Sequence, residues 1–278
     1  MNLHKILKPK LSVVVPAHNE EEYIGSCIEA LLNQTVRPHE IIIVDNNSTD
    51  KTAEIARRYE DIVVIEEKKQ GIFYARNAGF NAASGDIIVR TDADSLVSPN
   101  WLQSVVDHYE NNNPAAVTGS LTFSDVYGLR WLTRAESLVR SRLIRSVTLP
   151  KFLSGANMSI RRDVWLDIWQ TTCPGSHLHE DVDLTIHLQK AGYEVSFEPG
   201  MTVSTSARRM STDFLEYYSY VKKIESTYNF HGKSGLIIKI PVLLYVPFQP
   251  LIKVARKLYY MKRYKTKFIR LASELLNA

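Results

Sequence analysis

The stretch Leu11-Ser12-Val13-Val14-Val15-Pro16-Ala17-His18-Asn19-Glu20 contains the pattern that decides the fold of this chain. A short β-branched run that ends at a proline predicts a buried strand and a polar loop, and apolar spacing over residues 23–32 then predicts a helix. The same unit recurs, with further strands predicted at 41–44, 62–65 and 86–90 and helices at about 50–59 and 74–83. Strands nearly continuous in valine and isoleucine that alternate with helices predict an α/β fold, with a mostly parallel sheet covered on both faces.

The composition is that of a folded, enzyme-sized protein. The 278 residues are 45% hydrophobic and 23% charged, which excludes a collagen-like or wholly disordered chain. The two cysteines, Cys27 and Cys173, are too few for a disulfide framework or a cysteine-based zinc site, and they favour a reducing compartment such as the cytosol. Residues 1–10 are basic, but the apolar run after them is too short for the core of a signal peptide, so we expect no export signal.

Charge is distributed unevenly along the chain. The last 28 residues carry a charge of +7, so the first 250 carry −3 of the net charge of +4. A helix over this basic segment would place its apolar side chains along one stripe and most of its cations elsewhere, which is typical of a helix that binds an anionic membrane surface. The stripe consists of Leu251, Val254, Leu258, Met261, Tyr264, Phe268, Leu271 and Leu275.

The segment before this stripe is apolar but broken. Lys239, Pro241, Pro247 and Pro250 argue against a straight transmembrane helix over 235–252. We therefore predict a catalytic domain at 1–232 and a C-terminal extension at 233–278 that anchors the protein to a membrane surface. Alternatively, the stripe packs on the catalytic domain and its cations are simply solvated. A nucleic-acid partner is not expected, because no RNA-binding motif accompanies the basic segment.

Polar residues follow three of the predicted strands. They are Pro16-Ala17-His18-Asn19-Glu20, Asp45-Asn46-Asn47-Ser48-Thr49-Asp50 and Asp92-Ala93-Asp94. Ligands of open parallel sheets bind outside the carboxyl ends of the strands, so the three clusters predict one binding site. The alternative for the second cluster is structural, with Ser48, Thr49 or Asp50 capping a helix and the two asparagines forming a turn.

Two carboxylates in the third cluster predict a metal site. Asp92 and Asp94 alternate in an extended segment, so their side chains project to the same side. Oxygen ligands combined with substrate phosphates suit Mg²⁺ or Mn²⁺. Capping of a helix by Asp94 and Ser95 is the alternative.

A second acidic group begins a later helix. Glu180, Asp181 and Asp183 stand in what would be its first turn, where the helix dipole alone favours acids. A carboxylate here could instead accept a proton from an attacking hydroxyl group, as a general base does. His177 and His179 flank the group, and with no third histidine or cysteine near them in sequence a contact with the acceptor is favoured over zinc.

Three arginines are candidates for binding phosphate. Arg208 and Arg209 could reach a diphosphate, and Arg76 could do the same or brace its own loop. Ordinary surface salt bridges remain the alternative for all three.

Taken together, five motifs resemble the inverting glycosyltransferases of family 2, which have the Rossmann-like GT-A fold. The resemblance covers about residues 11–206, and the motifs occur in the family's order. Two positions depart from it, because His18 stands where the family usually has Tyr or Phe and Asn46 stands where it usually has a second Asp. The motifs are 13–21, 43–50, 75–79, Asp92-Ala93-Asp94 and 179–184.

The resemblance implies a role for each motif. A nucleotide, with uridine expected as its base, would be held by Pro16, Ala17, His18, Asn19, Glu20, Asp45, Asn47, Arg76 and Asp92. Asp92 and Asp94 would bind the divalent cation, Arg208 and Arg209 the diphosphate, and Asp181, beside Glu180, would be the base. The donor sugar and acceptor would contact Gly155, Ala156, Asn157 and His179.

We therefore expect a metal-dependent enzyme at the cytoplasmic face of the membrane. It would move a sugar from a UDP-sugar to a hydroxyl group of a glycolipid, lipid-linked oligosaccharide or polysaccharide. One alternative is a polyprenyl-phosphate sugar synthase, which needs no base and is therefore disfavoured by Glu180 and Asp181. Another is a non-catalytic nucleotide-sugar-binding subunit of a synthase. A nucleotidyltransferase would need a first loop rich in Gly and Arg, which residues 16–19 lack.

Overall fold

The structure is a computed structural model that describes residues 8–126, 128 and 152–276. Its strands are β1 (Leu11–Ala17), β2 (Glu40–Asp45), β3 (Ile62–Glu66), β4 (Ile87–Thr91), β5 (Ser95–Val97), β6 (Ala116–Phe123), β7 (Asn157–Arg161) and β8 (Val195–Thr205). Its α-helices are α1 (Ile24–Leu32), α2 (Thr52–Ala56), α3 (Ile72–Ala82), α4 (Trp101–Asn112), α5 (Arg162–Ile168), α6 (Glu180–Lys190), α7 (Phe214–Phe230), α8 (Ile240–Tyr245) and α9 (Gln249–Leu276). The predicted alternation of strands and helices in the first half is confirmed.

The described strands form one mixed sheet in the order β3-β2-β1-β4-β7-β6-β8-β5. Four strand pairs are parallel, namely β1 with β2, β1 with β4, β2 with β3 and β6 with β8. The pairs β4 with β7, β6 with β7 and β5 with β8 are antiparallel. Ala17 pairs with Asp45 at the ends of β1 and β2, so the loops after these strands leave the sheet at the same edge.

Both faces of the sheet are covered, which explains why the central strands β1, β2 and β4 are nearly continuous in valine and isoleucine. Val13 and Val15 belong to a buried cluster that includes residues of α1 and α4. Val14 belongs to a second cluster on the other face, with residues of α3 and α5. Helix α3 lies so close to the sheet that a Cβ on Gly79 would come within 2.3 Å of Val14 Cγ1.

The second half of the chain completes the sheet and brings later segments to the end of β4. Strand β7 pairs antiparallel with β4 and places Asn157 opposite Thr91. The residues just before β7 therefore lie beside the segment that follows β4. Thr91 Oγ1 donates a hydrogen bond to the carbonyl oxygen of Ala156 at 2.9 Å.

Helix α9 packs on the rest of the protein through one side and leaves another side exposed. Ile252 and Ala255 are buried in a cluster with Val126 and Ala207. The Arg256 guanidinium contacts the Asp125 carboxylate at 2.7 Å. On the exposed side lie the first four members of the predicted stripe, Leu251, Val254, Leu258 and Met261.

The side chains of the last four stripe members lie outside the described residues. Among the helices that the structure describes, none combines the length and the apolar character needed to cross a membrane. The division at residues 232 and 233 stays a prediction.

Candidate active site

The loops that follow β1 and β2 are joined to each other by hydrogen bonds. Asn19 Oδ1 accepts a hydrogen bond from the backbone N–H of Thr49 at 2.8 Å, and His18 Nδ1 lies 2.9 Å from the carbonyl oxygen of Asn46. Asn19 and Asn47 have φ angles of 55° and 60°, in the left-handed region that asparagine adopts more readily than most residues. The first two polar clusters therefore form one continuous surface at the carboxyl edge of the sheet.

Asn46, one of the two departures from the family pattern, anchors a neighbouring loop. Its side chain is buried, and its amide nitrogen donates to the carbonyl oxygens of Glu67 and Lys69 at 2.9 Å each. Its amide oxygen accepts a hydrogen bond from the backbone N–H of Gly71 at 2.7 Å. A carboxylate could accept the last bond but could not donate the other two. The substitution is therefore explained by this loop, and it leaves Asp45 buried at the end of β2.

Pairing of β5 with β8 brings Asp94 to Arg208. Ser95 lies opposite Thr205 in this pair, and Asp94 Oδ1 accepts a hydrogen bond from Thr205 Oγ1 at 3.2 Å. Asp94 Oδ2 lies 3.3 Å from the Arg208 guanidinium, which also contacts Glu20 Oε1 at 2.5 Å. Arg208 therefore connects the loop after β1 to the acidic segment after β4.

The chemistry of this acidic group fits a divalent cation. Burial, with the negative charge of Asp92, raises the pKa of Asp94 to about 6. Glu20 Oε2 is buried and has no hydrogen-bond partner among the described residues. Carboxylate oxygens that repel one another, with one of them unsatisfied, are a ligand set that Mg²⁺ or Mn²⁺ would stabilise.

Asp181 lies at the start of α6, held from two sides. Its Oδ2 accepts a hydrogen bond from the backbone N–H of Gly155 at 2.7 Å, and its Oδ1 lies 3.4 Å from Arg90 Nη1. Burial, and then the charge of Glu180, raises the pKa of Asp181 well above its ordinary value. A buried carboxylate with a raised pKa has the proton affinity that a general base requires.

Glu180 binds two buried arginines. Its two carboxylate oxygens contact Arg76 at 2.7 Å and Arg90 at 2.5 Å. Although burial opposes ionisation, Arg90 and Arg76 hold the pKa of Glu180 below its ordinary value. Glu180 therefore remains an anion that positions Arg90 beside Asp181.

Two functional candidates were missed in the sequence. Arg90 stands inside the apolar run of β4 and is 2% exposed, and a charge in such a run was the signal that it must have buried partners. The hydroxyl group of Tyr220, on α7, lies 3.0 Å from His179 Nε2. The Arg209 guanidinium lies over the Tyr220 ring, 4.4 Å from the ring centroid. Its position on a distant helix left no local signal.

Two predicted contacts need correction. Arg76 is fully buried, and its guanidinium binds Glu180 and Asn77, so it supports the acidic group rather than facing a nucleotide. The Asn157 side chain is also fully buried, where it donates to the carbonyl oxygen of Met201 at 2.7 Å and accepts from Trp101 Nε1 at 2.9 Å. These partners hold it in the core, so the prediction that it lines the donor or acceptor is wrong for the side chain.

The other predicted residues meet at the carboxyl edge of β1, β2 and β4 and at the start of α6. They are Pro16, Ala17, His18, Asn19, Glu20, Asp45, Asn47, Asp92, Asp94, Gly155, Ala156, His179, Glu180, Asp181, Arg208 and Arg209.

Comparison with protein families gives one match across most of the sheet. Residues 12–169 match the family described as glycosyl transferase family 2.

Among curated proteins, a 198-residue region is 31% identical to glycosyltransferase AglE of Haloferax volcanii and covers 68% of this chain and 64% of that protein. A 174-residue region is 28% identical to the glucosyl-dolichyl phosphate glucuronosyltransferase of the same organism and covers 57% of this chain and 55% of that protein. The chain thus spans between half and two thirds of the length of these two relatives.

Solved structures share the fold. A mannosyltransferase from Pyrobaculum calidifontis, in complex with GDP-Man and Mn²⁺, has a TM-score of 0.61 at 18% identity, over 98% of this chain and 82% of that one. Glucosyl-3-phosphoglycerate synthase from Mycobacterium tuberculosis, in complex with Mn²⁺, UDP-glucose and phosphoglyceric acid, has a TM-score of 0.57 at 21% identity, over 82% and 81% of the two chains.

Proposed function

This chain belongs to glycosyl transferase family 2 and has the GT-A fold, and from that premise we propose that it is an inverting, metal-dependent glycosyltransferase. Its donor is a nucleotide-sugar, with a UDP-sugar as the expected form. Its acceptor is a hydroxyl group of a glycolipid, a lipid-linked oligosaccharide or a polysaccharide. The observation that carries the proposal is the buried Asp181 carboxylate, which contacts the Gly155 N–H and the Arg90 guanidinium. Arg90 also contacts Asp92, so it connects the proposed base to the proposed metal ligands.

The nucleotide binds at the joined loops after β1 and β2. Residues 16–20, Asp45 and Asn47 contact the nucleoside, and Asp92 reaches its ribose. Support comes from the hydrogen bonds that connect the two loops and from the buried position of Asp45 beneath them. Loops that are already ordered lose less conformational entropy when a ligand binds.

Asp92 and Asp94 would hold Mn²⁺ or Mg²⁺ for the diphosphate of the donor. When bound, the cation offsets the negative charge that develops on the leaving diphosphate. The pKa of Asp94, raised to about 6, and the unpartnered Glu20 Oε2 support a cation at this position. Arg208 lies against the same acids and adds a second positive charge, with Arg209 next to it in sequence.

Asp181 acts as the general base in a single displacement. It accepts the proton of the acceptor hydroxyl while that oxygen forms a bond to the anomeric carbon and the bond from this carbon to the diphosphate oxygen breaks. Attack opposite the leaving group inverts the configuration at the anomeric carbon. The Gly155 N–H and Arg90 orient the carboxylate, and Glu180 positions Arg90.

A lipid-linked acceptor is favoured by two observations. One relative is named as a glucosyl-dolichyl phosphate glucuronosyltransferase, a name that contains a lipid-linked sugar. In this chain, α9 exposes the apolar residues Leu251, Val254, Leu258 and Met261, with the exposed cations Lys253 and Lys257 nearby. An amphipathic surface of this kind binds anionic lipid, so α9 would hold the enzyme at the cytoplasmic face of a membrane.

The decisive experiment is nucleotide release by the purified protein with UDP-, GDP- and dTDP-sugars. Each donor is tested with Mn²⁺, with Mg²⁺ and with a chelator. We expect metal-dependent release from one UDP-sugar, lowered about 10²- to 10⁴-fold by Asp181→Asn. Asp163→Asn is a matched control, because the Asp163 side chain is 72% exposed and should leave release unchanged.

Three outcomes would contradict parts of the proposal. Neither turnover nor binding of any donor would reject the glycosyltransferase function. An Asp181→Asn variant that transfers sugar normally to a polyprenyl phosphate would favour the synthase alternative, because a phosphate acceptor needs no base. Tight donor binding without transfer to any supplied lipid or glycan would favour the non-catalytic subunit.

A further inference from the structure

A cluster of four side chains outside the active site has the composition of a metal centre. Cys173 precedes α6, Asp183 and His187 lie one turn apart on α6, and His231 follows the last residue of α7. One ligand atom from each of the four residues lies within 4.8 Å of all the others. Three separate segments of the chain thus converge on one point.

The cluster lies on the far side of α6 from the active site. Residues two apart on an α-helix point about 200° apart around its axis. Asp183 therefore faces away from Asp181 and toward α7. The cluster is distinct from the Asp92 and Asp94 pair, which follows β4.

The distances in the cluster suit a four-coordinate ion. Cys173 Sγ lies 3.4 Å from His187 Nε2, which lies 3.5 Å from Asp183 Oδ1. Asp183 Oδ1 lies 2.8 Å from His231 Nε2. A tetrahedral Zn²⁺ with bonds of ordinary length separates its ligand atoms by roughly 3.3–3.7 Å. The first two distances lie in this range, and the third, between Asp183 Oδ1 and His231 Nε2, must lengthen from 2.8 Å.

Three of the four side chains are buried, and the Asp183 carboxylate is oriented toward the two imidazoles. The side chains of Asp183, His231 and His187 are 0%, 4% and 10% exposed. Asp183 Oδ2 accepts a hydrogen bond from the backbone N–H of Cys173 at 2.9 Å, which orients the carboxylate and leaves Oδ1 facing the two imidazoles. A supporting hydrogen bond of this kind is typical of carboxylates that bind metals.

Two contacts must change when a metal binds. The hydrogen bond between His231 Nε2 and Asp183 Oδ1 is lost, because both atoms become ligands of the ion, and the second contact is made by Lys190. Lys190 Nζ lies 3.0 Å from His231 Nδ1. Coordination through Nε2 requires Nδ1 to carry the imidazole proton, so the Lys190 ammonium would have to turn away. Lys190 is exposed, so its ammonium group can turn toward solvent.

We propose that Cys173, Asp183, His187 and His231 bind one Zn²⁺ as a structural centre. A thiolate, two imidazoles and a carboxylate match the ligand preference of Zn²⁺ over Mg²⁺ or Mn²⁺. Four protein ligands leave no open position, so the ion has a structural role. It fastens the loop before α6 and the end of α7 to the helix that carries Asp181.

No such site was expected from the sequence, because two cysteines are too few for a cysteine-based zinc site. Only Asp183 and His187, four residues apart on a helix, share a local spacing. Cys173 and His231 are 58 residues apart in sequence, so their meeting depends on the packing of α7 against α6.

The test measures metal binding by the full-length purified chain. After metal removal, one equivalent of Co²⁺ should produce the ligand-field bands of a tetrahedral centre and a thiolate-to-cobalt charge-transfer band. The charge-transfer band requires a thiolate ligand, so Co²⁺ bound to the carboxylates of Asp92 and Asp94 cannot produce it. Competition with a zinc-binding dye should then show that Cys173→Ser and His231→Ala each weaken Zn²⁺ binding more than about 100-fold. Loss of a residue that hydrogen-bonds to a ligand costs about 10- to 100-fold in metal affinity, and loss of the ligand itself should cost more.

Two controls separate this centre from other metal binding. His177→Ala removes an exposed histidine outside the cluster and should leave Zn²⁺ affinity unchanged. Asp94→Asn should retain the cobalt spectrum even if sugar transfer is lost, so failure of the proposed function and failure of the zinc centre are distinguishable.

The proposal is overturned if the wild-type chain shows no charge-transfer band. This result would mean that the four side chains form only a hydrogen-bonded cluster. It is equally overturned if Cys173→Ser and His231→Ala, folded by circular dichroism, bind Zn²⁺ as tightly as the wild type. The wild-type spectrum decides the question even where a variant fails to fold.

Discussion

The backbone N–H of Gly155 donates a 2.7 Å hydrogen bond to Asp181 Oδ2, and any side chain at this glycine would force Arg90 or Asp181 to shift. A Cβ would lie 2.5 Å from Arg90 Nη2 and 2.7 Å from Asp181 Oδ1. The loop before β7 and the start of α6 are thus in close contact across the proposed base.

Gly155→Ala should lower sugar transfer about 100-fold or more while donor binding is retained. The added methyl group must displace Arg90 or Asp181, and a shift of about 1 Å in a catalytic group can cost about 100-fold in rate. Initial rates and nucleotide affinity measured on the same preparation check this. Gly25→Ala is the control, because a Cβ on this helical glycine would make only ordinary contacts, the nearest with Tyr59 Oη at 3.5 Å. Equal losses of rate in both variants would contradict the argument.

Glu180→Gln should destabilise the fold by about 3–5 kcal/mol, because it leaves the buried Arg76 guanidinium without its anion and removes the nearest anion of Arg90. Arg76 and Arg90 are 0% and 2% exposed at this site. The free energy of unfolding in denaturant measures the effect. Glu54→Gln is the matched control, because it breaks a pair with Arg58 whose side chains are 59% and 64% exposed, worth about 0.3–0.5 kcal/mol. Similar losses in the two variants would show that the buried network is not stabilising.

Asn46→Asp should destabilise the protein even though it introduces the residue that the family usually has there. The carboxylate would face the carbonyl oxygens of Glu67 and Lys69, which now accept hydrogen bonds from the amide. We expect a loss of about 1–3 kcal/mol. Asn47→Asp changes an exposed neighbour with a positive φ and should be nearly neutral. A neutral Asn46→Asp would mean that the loop 67–71 rearranges at no cost.

Val254→Glu together with Leu258→Glu should weaken binding to anionic vesicles by more than tenfold. The two side chains are 57% and 49% exposed, and burying an aliphatic side chain contributes about 1.5–3 kcal/mol. Co-sedimentation with phosphatidylglycerol vesicles measures the change, with phosphatidylcholine vesicles as the uncharged reference. Leu166→Glu alters a leucine of α5 that is 46% exposed and serves as the control. Unchanged sedimentation of the double variant would locate the membrane contact elsewhere.

Most of the fold could be predicted because its signals are local. The runs 13–15, 41–44 and 87–89 are apolar at every position, a pattern that arises when helices cover both faces of a sheet. The polar clusters after these strands had to share one edge because parallel strands end on the same side. Asp92 and Asp94 were therefore recognisable as candidates from their positions, whereas Asp181 was recognised from the acidic start of a helix and from the resemblance to the family.

The errors concern side chains whose direction depends on distant partners. Arg76 and Asn157 lie in the expected motifs, yet the first points into an ion pair with Glu180 and the second into the core beside Trp101. Arg90 and Tyr220 were missed for the same reason, because their partners lie far away in sequence.

The amino-acid sequence alone determined the α/β class, the edge of the sheet that carries the polar loops and the basic, apolar character of the C-terminal segment, because each follows from neighbours within a few residues. Only the tertiary structure decided which anion each buried arginine binds, which side of α9 remains exposed, and that Cys173 meets Asp183, His187 and His231. Such pairings join segments that are far apart in the chain, and they are selected by the free energy of burying polar groups together.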